Sequence, residues 1–350
     1  MHEHPLPGVE PVYALAASSP DFERMKQYGR VIDFNSDDYR ALFLRADCLL
    51  SSSADGPVIN PFGAQRKWMS DLLACRFVFL QHGVTHNDQT AWLNKMSKDI
   101  ALFVTAARRE REAILGDGYG YGEDEVLLSG FARHDGLLAE AACAVPEKIV
   151  YIMPTWRKNL AGKVIAGSDN HEPLPGFENS DFYRFYQALI TDERLNDALR
   201  DAGYRARFIL HPSLEQETEL FSGGPSVEVA RGCDYRQVFL EAAMLVTDYS
   251  STAFDFALLK KPIVYAQFDR EEFFARHLCS AGYFSFDDDG FGPVCRSVDA
   301  TVDAIAAALS GGCAMAPEYR QRVDDFFYTP VGSRCETICR AVLALEGDDR

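Results

Sequence analysis

The chain has 350 residues, 47% apolar and 25% charged, which are the proportions of a globular protein too long for one comfortable core and about right for two domains. A net charge of −17 argues against a nucleic-acid partner and against general adhesion to anionic lipid, so any bound anion must be held by local donors. No apolar run reaches the roughly 18 residues of a membrane-spanning helix, and the first residues lack the basic start and apolar core of a signal peptide, so the expected location is the cytoplasm.

Read in chain order, PVYALAAS, RVIDFN, CLLSSS, RFVFLQHG, ALFVTAA and EVLLSG are short apolar segments of strand character. Helical periodicity fills the spaces between them, as at 36–47 and 64–74. Composition breaks at CAVPEK, 143–148, and the scheme repeats with KIVYIMPTW, ARFILHPS, VEVAR, MLVTDYS, PIVYAQF and GPVCRS. Continuous apolar strands alternating with helices predict parallel sheets covered on both faces. The expected fold is α/β, with two Rossmann-like domains facing across a cleft, divided into 1–145 and 146–350. A last helical stretch over 333–347 fits either domain. The nine cysteines show no C-x-x-C pair, and Cys335 and Cys339 have no partners at zinc spacing. They are read as reduced, mostly buried thiols, with no metal site.

Ligands of open α/β sheets bind beyond the carboxyl ends of the strands, so the strand ends are where chemistry is sought. The fourth strand ends in QHGVTHND. There His82 is a candidate general base, Gly83 permits a tight turn, and His86 is the alternative base; Thr85, Asn87 and Asp88 resemble a helix start. The first strand of the second half ends in MPTWRKN, where Arg157 offers a planar guanidinium for phosphate. The next ends in ILHPS, with His211 stiffened by Pro212. Then comes TDYSS. Ser250 and Ser251 are N-cap types, and the N–H groups of the helix they open form, with both hydroxyls, a cradle for phosphate. Asp248 is read as holding the turn and Asp255 as orienting a donor side chain. For each residue taken singly a structural role, as cap or solvated loop, is the simpler account; it is their convergence on one cleft that points to a site.

QHG, PTWR, HP and TDYSSTAFDFALLKKPIVY, in this order and with these gaps, resemble the CDP-glycerol glycerophosphotransferase family, which includes the teichoic acid glycerophosphate polymerases and primases of bacterial envelopes. GYFSFDDDGFGPV at 282–294 is similar to the family's late loop and strand, and the likeness runs from about residue 75 to the end. The resemblance implies a GT-B-like fold, with an acceptor-side first domain and a CDP-donor-binding second domain. It implies a CDP-polyol donor such as CDP-glycerol, a glycan or polyol-phosphate acceptor, no redox cofactor and no obligatory metal. It further implies His82 as base for the acceptor hydroxyl, His211 near the donor pyrophosphate, and Arg157, Ser250 and Ser251, with Thr247 beside them, at the donor phosphates.

Two features depart from the family's pattern. Gly83 is followed by Val-Thr-His instead of Thr-Pro, and the chain is strongly acidic whereas members dock on membranes through basic or amphipathic segments. Trp92 to Lys98 has the make-up of an interfacial helix, although an amphipathic core helix accounts for it better. Weak peripheral contact with the inner face of the membrane therefore stays open. The acidic run Asp287–Asp289 is read as a solvated turn. Two alternatives remain: a GT-B glycosyltransferase using a nucleotide sugar, and a non-catalytic nucleotide-binding domain of an envelope-polymer assembly.

Overall fold

The computed structural model of the chain describes residues 8–69, 72–165, 170–276 and 280–345. All twelve expected strands form. β1 (Val12–Leu15) and β2 (Arg30–Asp33) make a two-stranded sheet, and β3 (Cys48–Ser51), β4 (Arg76–Phe79), β5 (Ile100–Thr105) and β6 (Val126–Leu128) follow one another in a second. The third sheet holds β7 (Ile149–Ile152), β8 (Arg205–Ile209), β9 (Val227–Ala230), β10 (Met244–Thr247), β11 (Ile263–Ala266) and β12 (Val294–Cys295), in the spatial order β12-β11-β10-β7-β8-β9. Every paired strand is parallel.

Counted within itself, the third sheet runs 3-2-1-4-5-6, the order of doubly wound nucleotide-binding sheets, and it reverses direction between β7 and β10. Ligands of open α/β sheets bind outside the carboxyl ends of the strands at such a reversal. The reason the strands were readable is burial: every residue of β7, β10 and β11 is buried, so each shows as an unbroken apolar run. Toward the β9 edge Arg205 and Glu228 are exposed and the run breaks up.

The helical expectations hold more loosely. The stretch 36–47 is helical over Asp37–Phe43, capped by the Ser36 hydroxyl. Of 64–74, a short turn covers Arg66–Met69, and residues 70 and 71 lie outside the described residues. Trp92 to Lys98 is not one amphipathic helix. It is two four-residue turns, Thr90–Leu93 and Lys95–Lys98, separated by Asn94 in extended conformation, whose side chain caps the second. Among the described residues no helix is long and apolar enough to cross a membrane. Of the cysteines described, only Cys295 is buried while Cys143, Cys233 and Cys335 are exposed, so the expectation of mostly buried thiols is corrected. They lie on helix and loop surfaces outside the strand interiors.

The two halves share a core. Val78, Val84, Val104 and Phe131 of the first pack in one cluster with Phe254, Phe284 and Phe326 of the second. The chain's end also returns to the first half: Tyr328 N–H donates to the Ala106 carbonyl (2.9 Å), and the helix Arg334–Leu345 lies on Ala132–Ala141. There Asp135 accepts from Arg334 Nη1 (3.2 Å) and the Cys335 N–H (2.8 Å). The last helix thus packs on the first half; residues 346 and 347 of its expected span lie outside the described residues.

Candidate active site

At the end of β10 the chain turns through Asp248, Tyr249, Ser250 and Ser251 into a helix over Thr252–Leu258. Asp248 is fully buried. Its Oδ1 accepts the Thr155 and Tyr249 N–H groups (2.8 and 2.6 Å), and its Oδ2 accepts Arg157 Nη2 (2.9 Å), so it stitches the β10 turn to the loop after β7, as expected. The cap differs from the expectation. Ser251 occupies the N-cap position with helical angles, φ −65° and ψ −17°, and its side chain makes no capping bond. A helical backbone points the hydroxyl away from the free N–H groups. Ser250 Oγ takes the Thr252 N–H instead (3.2 Å), and the Ala253 and Phe254 N–H groups bond the Ser250 and Ser251 carbonyls. What this turn offers a ligand is therefore two half-buried hydroxyls, not a row of open amides.

Two expected phosphate ligands are corrected. Thr247 is buried, and its hydroxyl donates to the Met153 carbonyl (2.7 Å), pinning β10 to the exit of β7. Arg157 is 4% exposed. Its guanidinium is gripped by Asp248 and by Asp269 (Nε–Oδ2 2.7 Å, Nη2–Oδ1 3.1 Å), bonds the Thr155 carbonyl, and lies over the rings of Phe182, Tyr249 and Phe273. Two carboxylates satisfy its charge, and its one Nη1 bond is internal. It lines a cavity of about 280 Å³ with Asn159, Ser180, Phe182, Asp269 and Phe273, as the buried floor of that space.

The loop after β4 is built differently. Gln81 has φ +61°, a left-handed conformation that costs a non-glycine residue about 1–2 kcal/mol. Four contacts hold it there. Its Nε2 donates to the Val104 carbonyl (2.9 Å) and Glu110 Oε1 (3.0 Å), its Oε1 accepts Thr85 Oγ1 (2.8 Å), and its carbonyl accepts Arg133 Nη1 (2.8 Å). Glu110 is fully buried and also accepts the Thr85 and Ala106 N–H groups (2.7 and 2.6 Å), so one carboxylate spans both ends of the loop. Burial pushes its carboxyl up to about 7 in spite of those donors.

This turn throws His82 out to solvent, against Phe79 and Trp92 (ring centroids 6.2 and 6.0 Å). Desolvation by the surrounding protein lowers its pKa below the ordinary histidine value; the Ser52 backbone, Asp55 and Asp255 pull upward, and Arg133 pulls down. The imidazole is thus neutral and able to accept a proton near neutrality. His86, four residues on, is caged by Phe254, Phe284 and Phe286, bonds the Val84 carbonyl, and is held down to about 4 by burial. Of the two histidines, His86 is buried behind these rings and His82 is exposed.

The two regions meet. A methyl group at Gly83 would lie 2.8 Å from Ser251 Cβ and nearer still to its Oγ, so only glycine allows the His82 loop to touch the serine turn. Asp255, one turn into the helix, reaches across to the first half. It accepts Arg133 Nε and Nη2 (3.2 and 3.0 Å) and His134 Nε2 (2.6 Å). Burial pushes Asp255 up, but His134 and Arg133 outweigh it and keep the carboxyl below the usual range. The late loop closes the junction from the side. Ser280 O accepts the Asp88 N–H (3.1 Å), and Arg109 bonds Asp289 and the Tyr283 carbonyl (both 2.6 Å), so the Asp287–Asp289 run is a helical turn, exposed at Asp287 and Asp288 as expected and anchored at Asp289. His211 stands two strands over from β10, at the end of β8. Its Nδ1 accepts the Ser213 N–H (3.2 Å), which leaves the neutral ring's proton on Nε2 as a donor, and its face lies near Trp156 (6.2 Å, 24°).

Sequence reasoning missed Gln81, Glu110, Arg133 and His134. Arg133 and His134 follow β6 in SGFARHD, and reading this strand end as the others were read finds them. Glu110 and Gln81 carry no comparable signal, since their importance lies in who surrounds them.

Three parallel sheets, the largest wound in the order of nucleotide-binding folds and with polar loops gathered at its switch point, define an α/β chain of the architecture that nucleotide-dependent enzymes use. Residues 3–344 match the CDP-Glycerol:Poly(glycerophosphate) glycerophosphotransferase family, and the chain belongs to that family. It is 35% identical over 343 residues to the minor teichoic acid biosynthesis protein GgaB of Bacillus subtilis (strain 168), covering 97% of this chain and 37% of GgaB. The chain thus spans little more than a third of that relative's length. In fold it is similar to the wall teichoic acid polymerase TagF, with a TM-score of 0.63 at 15% identity over 96% of this chain and 89% of TagF. A TagF variant solved after a soak with CDPG gives 0.63 at 16% identity over 98% and 83%.

Proposed function

We propose that this chain transfers glycerol phosphate, or a related polyol phosphate, from a CDP-activated donor to a hydroxyl of a cell-envelope glycan or teichoic-acid-like acceptor. In this reading the chain works as two Rossmann-like domains, 1–145 on the acceptor side and 146–350 on the donor side, facing across a cleft in the GT-B manner. His82 takes the proton of the acceptor hydroxyl, whose oxygen attacks the polyol-bearing phosphorus in line. An O–P bond to the acceptor forms, the P–O bond to CMP breaks, and a phosphodiester results. Ser250, Ser251 and the Nε2 donor of His211 take up charge on the phosphates. The donor is a substrate, and no resident cofactor or metal enters the proposed step. The reaction takes place in the cytoplasm, with access to an acceptor at the inner face of the membrane.

The observation that carries this reading is the close approach of Gly83 to Ser251, which brings the loop bearing the solvent-facing His82 against the serine turn after β10. Family membership supplies the donor class, and the fold shared with a polymerase solved after a CDPG soak supports it. Calorimetric titration with CDP-glycerol, CDP-ribitol, CMP and a UDP-sugar tests the donor directly. Binding of a CDP-polyol, weakened in His211→Ala, is the expected result. A preference for the UDP-sugar would replace the transfer reading with a glycosyltransferase one, and no binding at all would leave a scaffold.

A further inference from the structure

Arg133 bridges the two halves directly behind the His82 loop and keeps access to solvent, its side chain 35% exposed. Its Nη1 holds the carbonyl of Gln81, the peptide oxygen immediately before His82, while Nε and Nη2 grip Asp255 in the helix that Ser251 opens. The guanidinium lies on the Phe131 ring (4.4 Å). Because the fork is planar and rigid, the positions of Asp255 and the Gln81 carbonyl fix one another. That grip is one of the four contacts that hold Gln81 in its left-handed turn, with those to Glu110, Val104 and Thr85.

We propose that Arg133 and Asp255 are a positioning pair that ties the orientation of His82 to the helix behind the serine turn, so that the base is set only when the two halves are engaged. The inference rests on His82 acting as the base of the proposed transfer. Neither residue needs to touch substrate for this role. The pair also places opposite charges beside the imidazole: Asp255 favours its protonated form and Arg133 disfavours it. The other charges facing His82 are Asp55 from the loop after β3 and, behind Trp92, Lys98. Ser52 contributes its backbone, and Phe79 and Trp92 are neutral.

The test is a ¹H–¹³C NMR titration of the His82 imidazole, assigned with His82→Asn, in wild type, Arg133→Met, Arg133→Lys and Asp255→Asn. The expected result is opposite motion: the pKa rises in Arg133→Met, falls in Asp255→Asn and holds in Arg133→Lys. Turnover of CDP-glycerol then falls at least about 10-fold in kcat in all three, with donor Kd within about 3-fold, because the loop is misplaced and the donor site is not. Should Asp255→Asn fail to fold, the contrast between Met and Lys at position 133 decides the matter alone. An imidazole pKa that does not move in folded Arg133→Met, or that moves the same way in all variants, overturns the proposal. The titration needs no substrate, so wild-type inactivity toward CDP-glycerol with opposite pKa motion intact would reject the transfer reading and not the pairing.

Discussion

The turn around Arg157 and the loop around His82 are both strand ends that meet the turn after β10, and they are stabilised in opposite ways. Arg157 sits among two carboxylates and three aromatic rings, with every guanidinium nitrogen bonded inside the protein. The His82 loop holds a left-handed glutamine, a buried carboxylate raised to about 7 and a half-exposed arginine shared with the other half. One region is closed and satisfied, and the other is held under tension and open to solvent. A strand-end cation is therefore no guide to a phosphate site until its covering is known. Backbone strain supported from several sides is the better marker.

Mutations should separate the two regions. The largest effect is expected at the closed one: Arg157→Ala leaves Asp248 and Asp269 buried without a cation and should cost about 3–5 kcal/mol, measured by urea unfolding. A loss below about 1 kcal/mol would mean that the ion cluster is not the keystone of that turn.

Glu110 comes next. Its carboxyl titrates at about 7 in the folded chain against 4.5 when free, so between those values the folded state holds a proton that the unfolded state has released. Stability conferred by the protonated form is full below pH 4.5 and is lost as pH rises through 7, by about 3 kcal/mol. Glu110→Gln should flatten that fall in the difference between the two unfolding profiles. Caged His86, held down to about 4 from 6.5, should give the opposite slope, stability being lost as pH falls below 6.5, and His86→Phe should remove it. Equal slopes for wild type and variant would show that neither group is as desolvated as its surroundings imply.

Gly83→Ala should cost about 1–3 kcal/mol, since the new methyl group meets Ser251 Cβ and Oγ, which are too short to swing aside. Turnover should fall with it, because the loop and the serine turn are pushed apart. The smallest effect on stability is expected from Arg133→Lys, about 1 kcal/mol or less at this half-exposed site, so that lost turnover there reports positioning rather than folding.

How much of this was legible in the sequence follows from the same physics. Parallel strands buried on both faces announce themselves, so all twelve were readable, whereas the switch point emerges only from the strand order. The places of His82, Gly83 and Ser251 at a strand end and a serine turn were legible because both are local features. The fate of Arg157 was not, because it is decided by Phe182, Asp248 and Asp269, far along the chain. Asp255 was expected to orient a donor, and it does, but the donors it holds come from the other half. The helical cap misled for a smaller reason: two adjacent serines both suit the position, and backbone angles chose Ser250's hydroxyl for the bond.

The central claim is that His82 is the base of a transfer whose donor sits against the serine turn. Measuring CMP release from CDP-glycerol and donor Kd side by side in wild type and His82→Ala tests it most directly. The account predicts that turnover falls by about 100-fold or more while Kd stays within about 2-fold. Turnover left unchanged by the substitution would contradict it.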